Sequence, residues 1–168
     1  MTDIIGLITN IALTLSFVVA LIFGIAQVKA AARDRRERLT LETLRAFQTK
    51  EFAELLQYIS SKKMPVSQKE MQALPGEEQV SLIQLGQEME SLGILVSKKI
   101  INIDLIDVTL GSFVTTAWEK YKPMFEDVRE KTNDPFLGEY FQWLAEYIDK
   151  RMKENPREPY HIQNQNSK

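Results

Sequence analysis

Carboxylates are the side chains of this 168-residue chain most able to do chemistry, and few placements bring them together. Asp104 and Asp107 are three apart and share one helical face, while Glu88 and Glu119 flank apolar stripes. A carboxylate-bridged metal site needs several such groups to converge, usually with Glu-x-x-His pairs. The chain has one histidine, His161, in a polar tail, and no cysteine. Disulfides, thiolate catalysis and zinc–thiolate sites are therefore excluded by composition, and a Ser–His pair has no imidazole near the apolar segments. None of the seven glycines is followed by Lys-Ser or Lys-Thr, so the phosphate-loop pattern is missing. No catalytic, cofactor-binding or metal residue is assigned, and no cofactor is expected. Asp104 and Asp107 read more simply as first-turn acids favoured by the helix dipole.

Two other sets bear on binding. The aromatics Trp118, Tyr121, Tyr140, Phe141 and Trp143 could line a ligand pocket, but their spacing is also what a small core requires, and core is the reading adopted. Lys29, Arg33, Arg35, Arg36 and Arg38 form a cationic cluster, diluted by Asp34 and Glu37. Anionic lipid head groups attract such a cluster. Residues 29–63 carry nine Lys/Arg against five Asp/Glu, whereas residues 64–168 carry twelve against seventeen. The distal part lacks the basic surface of a nucleic-acid binder, so neither DNA nor RNA is an expected partner.

The cationic cluster takes its meaning from what precedes it. Residues 4–28 contain no charged side chain. At ~1.5 Å per residue they reach roughly 37 Å, enough to cross a hydrocarbon core of about 30 Å with some tilt. A buried core helix would have to be covered on every face, which a small soluble domain hardly manages. A secretory signal would begin with basic residues, whereas Asp3 precedes this run. The basic flank predicts the N-terminus outside and the remainder cytoplasmic, with no external domain to speak of. Ala12, Ser16, Ala20 and Gly24 recur every four residues and would let a second helix approach closely, giving a homo-oligomer or a pairing with another membrane protein. Gly6, Asn10 and Thr14 make a second stripe with a polar centre.

Helical spacing persists beyond the span. No proline or glycine occurs between Ile25 and Met64, and Leu44, Phe47, Leu55 and Ile59 keep one face apolar. The spacing predicts a stalk helix ending near Ser60 and Ser61, with a possible break where Thr40 could cap a new helix. That apolar face needs cover, from the domain's own helices or from a parallel coiled-coil partner. Pro65 and Pro75-Gly76 bracket a connector in which Ser67 and Glu70 have capping-box spacing, giving a short helix over 68–74. A helix over 77–99 carries the stripe Leu82, Leu85, Met89, Leu92 and Val96, with Gly86 and Gly93 as places of close packing, against the stalk. Asn102 caps a helix over 103–122, with Ile106, Leu110, Phe113, Val114, Ala117, Trp118 and Tyr121 inward; Pro123 kinks it or opens a new turn before helix resumes through Arg129. Asp134 and Pro135 signal the start of a last helix, running to about Glu154, with Phe136, Tyr140, Phe141, Trp143, Leu144, Tyr147 and Ile148 inward or half-buried. No strand pattern appears. The fold class expected is all-α: a transmembrane anchor (1–28), a basic juxtamembrane stalk (29–61), a helical domain (62–155) and a disordered tail (156–168).

Residues 85–145 carry a recognisable order: Leu92-Gly93-Ile94-Leu95-Val96, Ile103-Asp104-Leu105, Gly111, Trp118-Glu119, Lys122-Pro123, Arg129 and Phe141-Gln142-Trp143-Leu144-Ala145. This order resembles a bacterial family known as domain of unknown function four-seven-six-zero. The resemblance implies an inner-membrane protein with an N-terminal span, a stalk and a short helical domain; it brings no activity and no functional residues. Within the pattern, Glu119 and Arg129 are expected to form a structural ion pair across Pro123. The expected function is a non-enzymatic, single-pass module for interaction or regulation at the cytoplasmic face, with a lipid bilayer, a second copy or another protein as partner. A membrane-tethered small-ligand sensor is the alternative, and a carboxylate–metal enzyme a more distant one.

Overall fold

The computed structural model describes residues 2–159 and residue 162, with side chains from Ile4 onward. His161 and most of the tail expected to be disordered lie outside the described residues. Six helices and no strand make up the described chain: α1 (Thr2–Ala46), α2 (Lys50–Ser61), α3 (Gln68–Gln72), α4 (Gly76–Ser97), α5 (Ile103–Thr132) and α6 (Glu139–Glu154). It divides into two compact units, Met1–Leu39 and Thr40–Lys168.

The first unit is helical throughout its described length, and every side chain from residue 4 to residue 36 is exposed. Two of its threonines turn back on the helix. The hydroxyls of Thr9 and Thr14 donate to the carbonyls of Ile5 and Asn10, at 2.9 and 2.8 Å. Arg33 pairs with Glu37 one turn on, at 2.9 Å.

In the second unit the stalk is interrupted, though not where Thr40 suggested. Thr40 is fully buried inside α1, and its hydroxyl accepts the backbone N–H of Asn102 at 2.8 Å. Helix α1 ends at Ala46, and Thr49 caps α2 by accepting the N–H of Phe52. Phe47 and Phe52 meet edge to face across the break, and Phe52 in turn meets Phe113 of α5. The apolar face of Leu44, Leu55 and Ile59 is thus buried by the unit's own helices.

The remaining caps follow local chemistry. Ser67 accepts the N–H of Glu70, whose carboxylate returns to the N–H of Val66. Asn102 accepts the N–H of Asp104. Helix α4 ends in a Schellman arrangement, in which Lys99 takes φ +57° and Ile100 N–H reaches the carbonyl of Leu95. Pro123 neither stops nor splits α5, which runs unbroken from Ile103 to Thr132. Asp134 opens a turn by accepting the N–H of Phe136, and α6 begins only after Gly138, whose φ is +69°. A Cβ at Gly138 would stand 2.5 Å from the Phe125 ring. Phe136 therefore sits in that turn and points outward, not into the core.

Helix α6 lies against α4 and α5. The predicted α4 stripe is buried, as are Ile106, Val114, Ala117, Trp118 and Tyr121 of α5 and Phe141, Leu144, Ala145 and Ile148 of α6. Burial of this kind stabilises by about 1.5–3 kcal/mol for each large apolar side chain. Gly93 is the closest approach, and it meets α6, not the stalk: a Cβ there would be 2.2 Å from the Tyr140 carbonyl oxygen.

Candidate functional site

The carboxylates singled out in the sequence have structural partners. Asp104 and Asp107 both face Arg151 near the end of α6, at 2.5 and 3.5 Å. Asp107 is buried, and its carbonyl accepts from Arg157 at 3.3 Å. Its Oδ1, set against Gly111 and 3.8 Å from Arg157, is the one buried side-chain oxygen or nitrogen lacking a hydrogen bond among the described residues. The pair acts as a clasp between the start of α5 and the end of α6. Helix-dipole acidity alone does not describe it.

Arg129 donates to the Leu137 carbonyl and to the Gln142 side chain, each at 2.7 Å, and its guanidinium lies over Trp118. The expected Glu119–Arg129 ion pair does not form. Ten residues along a continuous helix are about 15 Å of rise, beyond the reach of both side chains. Glu119 is exposed, beside Lys122, Glu146, Asp149 and Lys153 in a polar groove. Glu88 accepts from Gln84 one turn back.

A carboxylate that sequence reasoning passed over does more. Glu90 of α4 accepts the N–H groups of Tyr140 and Phe141, at 3.2 and 2.8 Å. These are the second and third residues of α6, whose N-cap is Gly138 and offers no side chain. Glu90 thus caps α6 from another helix and sets a negative charge at the positive end of its dipole. Tyr58, Glu78 and Lys62 form another cluster. The Tyr58 hydroxyl donates to Glu78 at 2.6 Å and the Lys62 ammonium at 2.7 Å. The Lys62 hydrogen bond, then that of Tyr58, holds the Glu78 carboxyl below its ordinary value. Burial, then the contact with Glu78, pushes the Tyr58 hydroxyl up to about 12.

The aromatics divide. Trp118, Tyr121 and Phe141 are buried against one another and Phe125, and Tyr121 donates to the Leu82 carbonyl at 3.1 Å. Burial raises the Tyr121 hydroxyl well above its usual range. Trp143 and Tyr147 instead stack on the outer face of α6, with Arg151 over the Tyr147 ring. No group of three or more His, Cys, Asp or Glu side chains suited to a metal ion occurs among the described residues.

A cleft of about 590 Å³ opens beside this core. Met71, Leu82, Met124, Phe125 and Leu137 give it apolar walls, Gly86 contributes bare backbone, and Gln87, Glu90 and Ser91 supply polar groups. In the first unit, Ala12, Ser16, Ala20 and Gly24 are all exposed, as are Lys29, Arg33, Arg35, Arg36 and Arg38. Among the described residues one helix, Ile4–Ala46, is long and apolar enough to cross a membrane.

Comparison with known proteins finds no match among curated proteins and none among solved structures. A family model described as Domain of unknown function (DUF4760) matches residues 14–148, which is most of the chain, and the chain belongs to that family.

Proposed function

We propose that this protein is a single-pass membrane module of the plasma (inner) membrane, with its N-terminus outside and the Thr40–Lys168 unit in the cytoplasm, and that it works by binding a partner, not by catalysis. The observation that carries this reading is an uncharged 25-residue helical stretch, residues 4–28, with all its described faces exposed and the Lys29–Arg38 cationic cluster directly following. The core helix of a soluble domain would be mostly covered. The cluster at one end supports the orientation and an attraction to anionic head groups. Ala12, Ser16, Ala20 and Gly24 support close helix association within the bilayer, with a second copy or another membrane protein.

Membrane extraction and crosslinking test the reading together. The full chain stays with the membrane fraction after an alkaline wash and leaves it only with detergent, and an in-cell crosslinker recovers a second copy or a defined protein. Release by the alkaline wash, or crosslinking to nothing, contradicts it.

A further inference from the structure

Five glycines of the second unit lie in or beside its helices: Gly76 opens α4 with nothing near it, and three of the other four are demanded by contacts already described. A Cβ would come within 2.2 Å of backbone at Gly93, 2.8 Å of Asp107 at Gly111 and 2.5 Å of Phe125 at Gly138. Gly86 is different. A Cβ there meets only the Phe125 ring, at 3.6 Å, an ordinary contact. Glycine in a helix interior is worth about 1 kcal/mol less than alanine, and the unit's own packing gives no reason to accept that loss at residue 86. The missing side chain leaves bare backbone on the wall of the 590 Å³ cleft. That volume falls within the roughly 300–1,000 Å³ of small-molecule sites, and a mostly apolar wall with a few polar groups is their usual make-up.

Charge selects the occupant. Among the described residues Glu90 is the one charged side chain lining the cleft, and no Lys or Arg lines it. Each Glu90 oxygen accepts one backbone N–H from α6. A carboxylate offers about four acceptor positions, so capacity remains on both. Acidic residues also outnumber basic ones over residues 64–168. We propose that the cleft between α4 and α5 binds a small cationic amphiphile, its apolar body along Gly86, Met124 and Phe125 and its protonated amine on Glu90. The assignment does not depend on where the first unit resides.

Photoaffinity labelling of the purified full chain in lipid nanodiscs tests it. The probe is a long-chain primary amine carrying a diazirine, with adducts located by peptide mass spectrometry. Adducts are expected on cleft residues such as Met71, Ile83 and Met124, displaced by the unlabelled amine. Gly86→Leu, which projects a side chain into the cleft from a position where a Cβ already fits, sharply reduces them. Gly86→Ala is expected to raise the unfolding temperature. Glu90→Gln keeps an oxygen acceptor for one of the two α6 N–H groups but loses the charge, and weakens competition by the amine about tenfold, equivalent to about 1.4 kcal/mol. A carboxylate-headed probe of the same length labels the cleft weakly. Equal labelling by the carboxylate probe, unchanged labelling of Gly86→Leu, or adducts confined to residues 4–28 would each overturn the proposal.

Discussion

Gly24 and Gly93 both sit within long helices, yet their surroundings are opposite. A Cβ on Gly24 would meet nothing within 4 Å, whereas one on Gly93 would run into the Tyr140 carbonyl. The same contrast holds for polar groups. Thr9 and Thr14 in the first unit turn back on their own helix, while Thr40, Glu90, Asp107 and Arg129 in the second reach other elements 8 to 62 residues away. The helix of residues 4–28 is specified by what it offers its surroundings. The second unit is specified by contacts within the chain. Substitutions therefore have separable consequences in the two regions, and thermal unfolding of the full chain in detergent reads the second.

The largest effect belongs to Gly93→Ala. The overlap cannot be relieved without parting α4 from α6, so a loss of about 3 kcal/mol or more is expected, while Gly24→Ala leaves the same transition unmoved. Equal behaviour of the two variants breaks the comparison. Next is Arg151→Met, which keeps the aliphatic stem but leaves buried Asp107 with only Arg157 nearby. About 2 kcal/mol is expected, as for a buried charge that loses its partner. Glu90→Ala removes the cap on α6 and lowers stability by about 1–2 kcal/mol, visible as faster amide exchange at Tyr140 and Phe141.

The smallest effect is one of pH. The Glu78 carboxyl is held below its ordinary value in the folded chain, so its contribution is complete above the unfolded value and is lost as pH falls through the lowered folded one. Tyr58, pushed up to about 12 from an ordinary 10, contributes below the unfolded value and loses that contribution as pH rises between the two. Glu78→Gln flattens the acid limb of a stability–pH curve, and an unaltered limb would remove the cluster from the account.

What could be read before the structure follows the same division. The apolar span, the α4 stripe, the caps at Ser67 and Asn102 and the inward faces of α5 rest on spacing within a turn or two, which sequence displays directly. The break at Thr49 was also local, a threonine before Lys50 and Glu51, but the unbroken run of helix formers outweighed it. Asp134-Pro135 carries the stronger start signal, yet α6 begins only after Gly138, whose backbone packs against the Phe125 ring. Glu119 and Arg129 illustrate the opposite error. Their order along the chain suggests a pair, while Arg129 bonds to Leu137 and Gln142 through a turn that sequence does not display. Glu90 gave no local sign at all, since its partners lie fifty residues on in α6.

The absence of cysteine makes the chain ready for single-cysteine accessibility mapping, the most direct test of the proposed topology. Thr2→Cys and Lys150→Cys are each expressed in intact cells and exposed to a membrane-impermeant maleimide. The account predicts labelling at residue 2 without permeabilisation and at residue 150 only after it. Labelling at residue 150 in intact cells would contradict it.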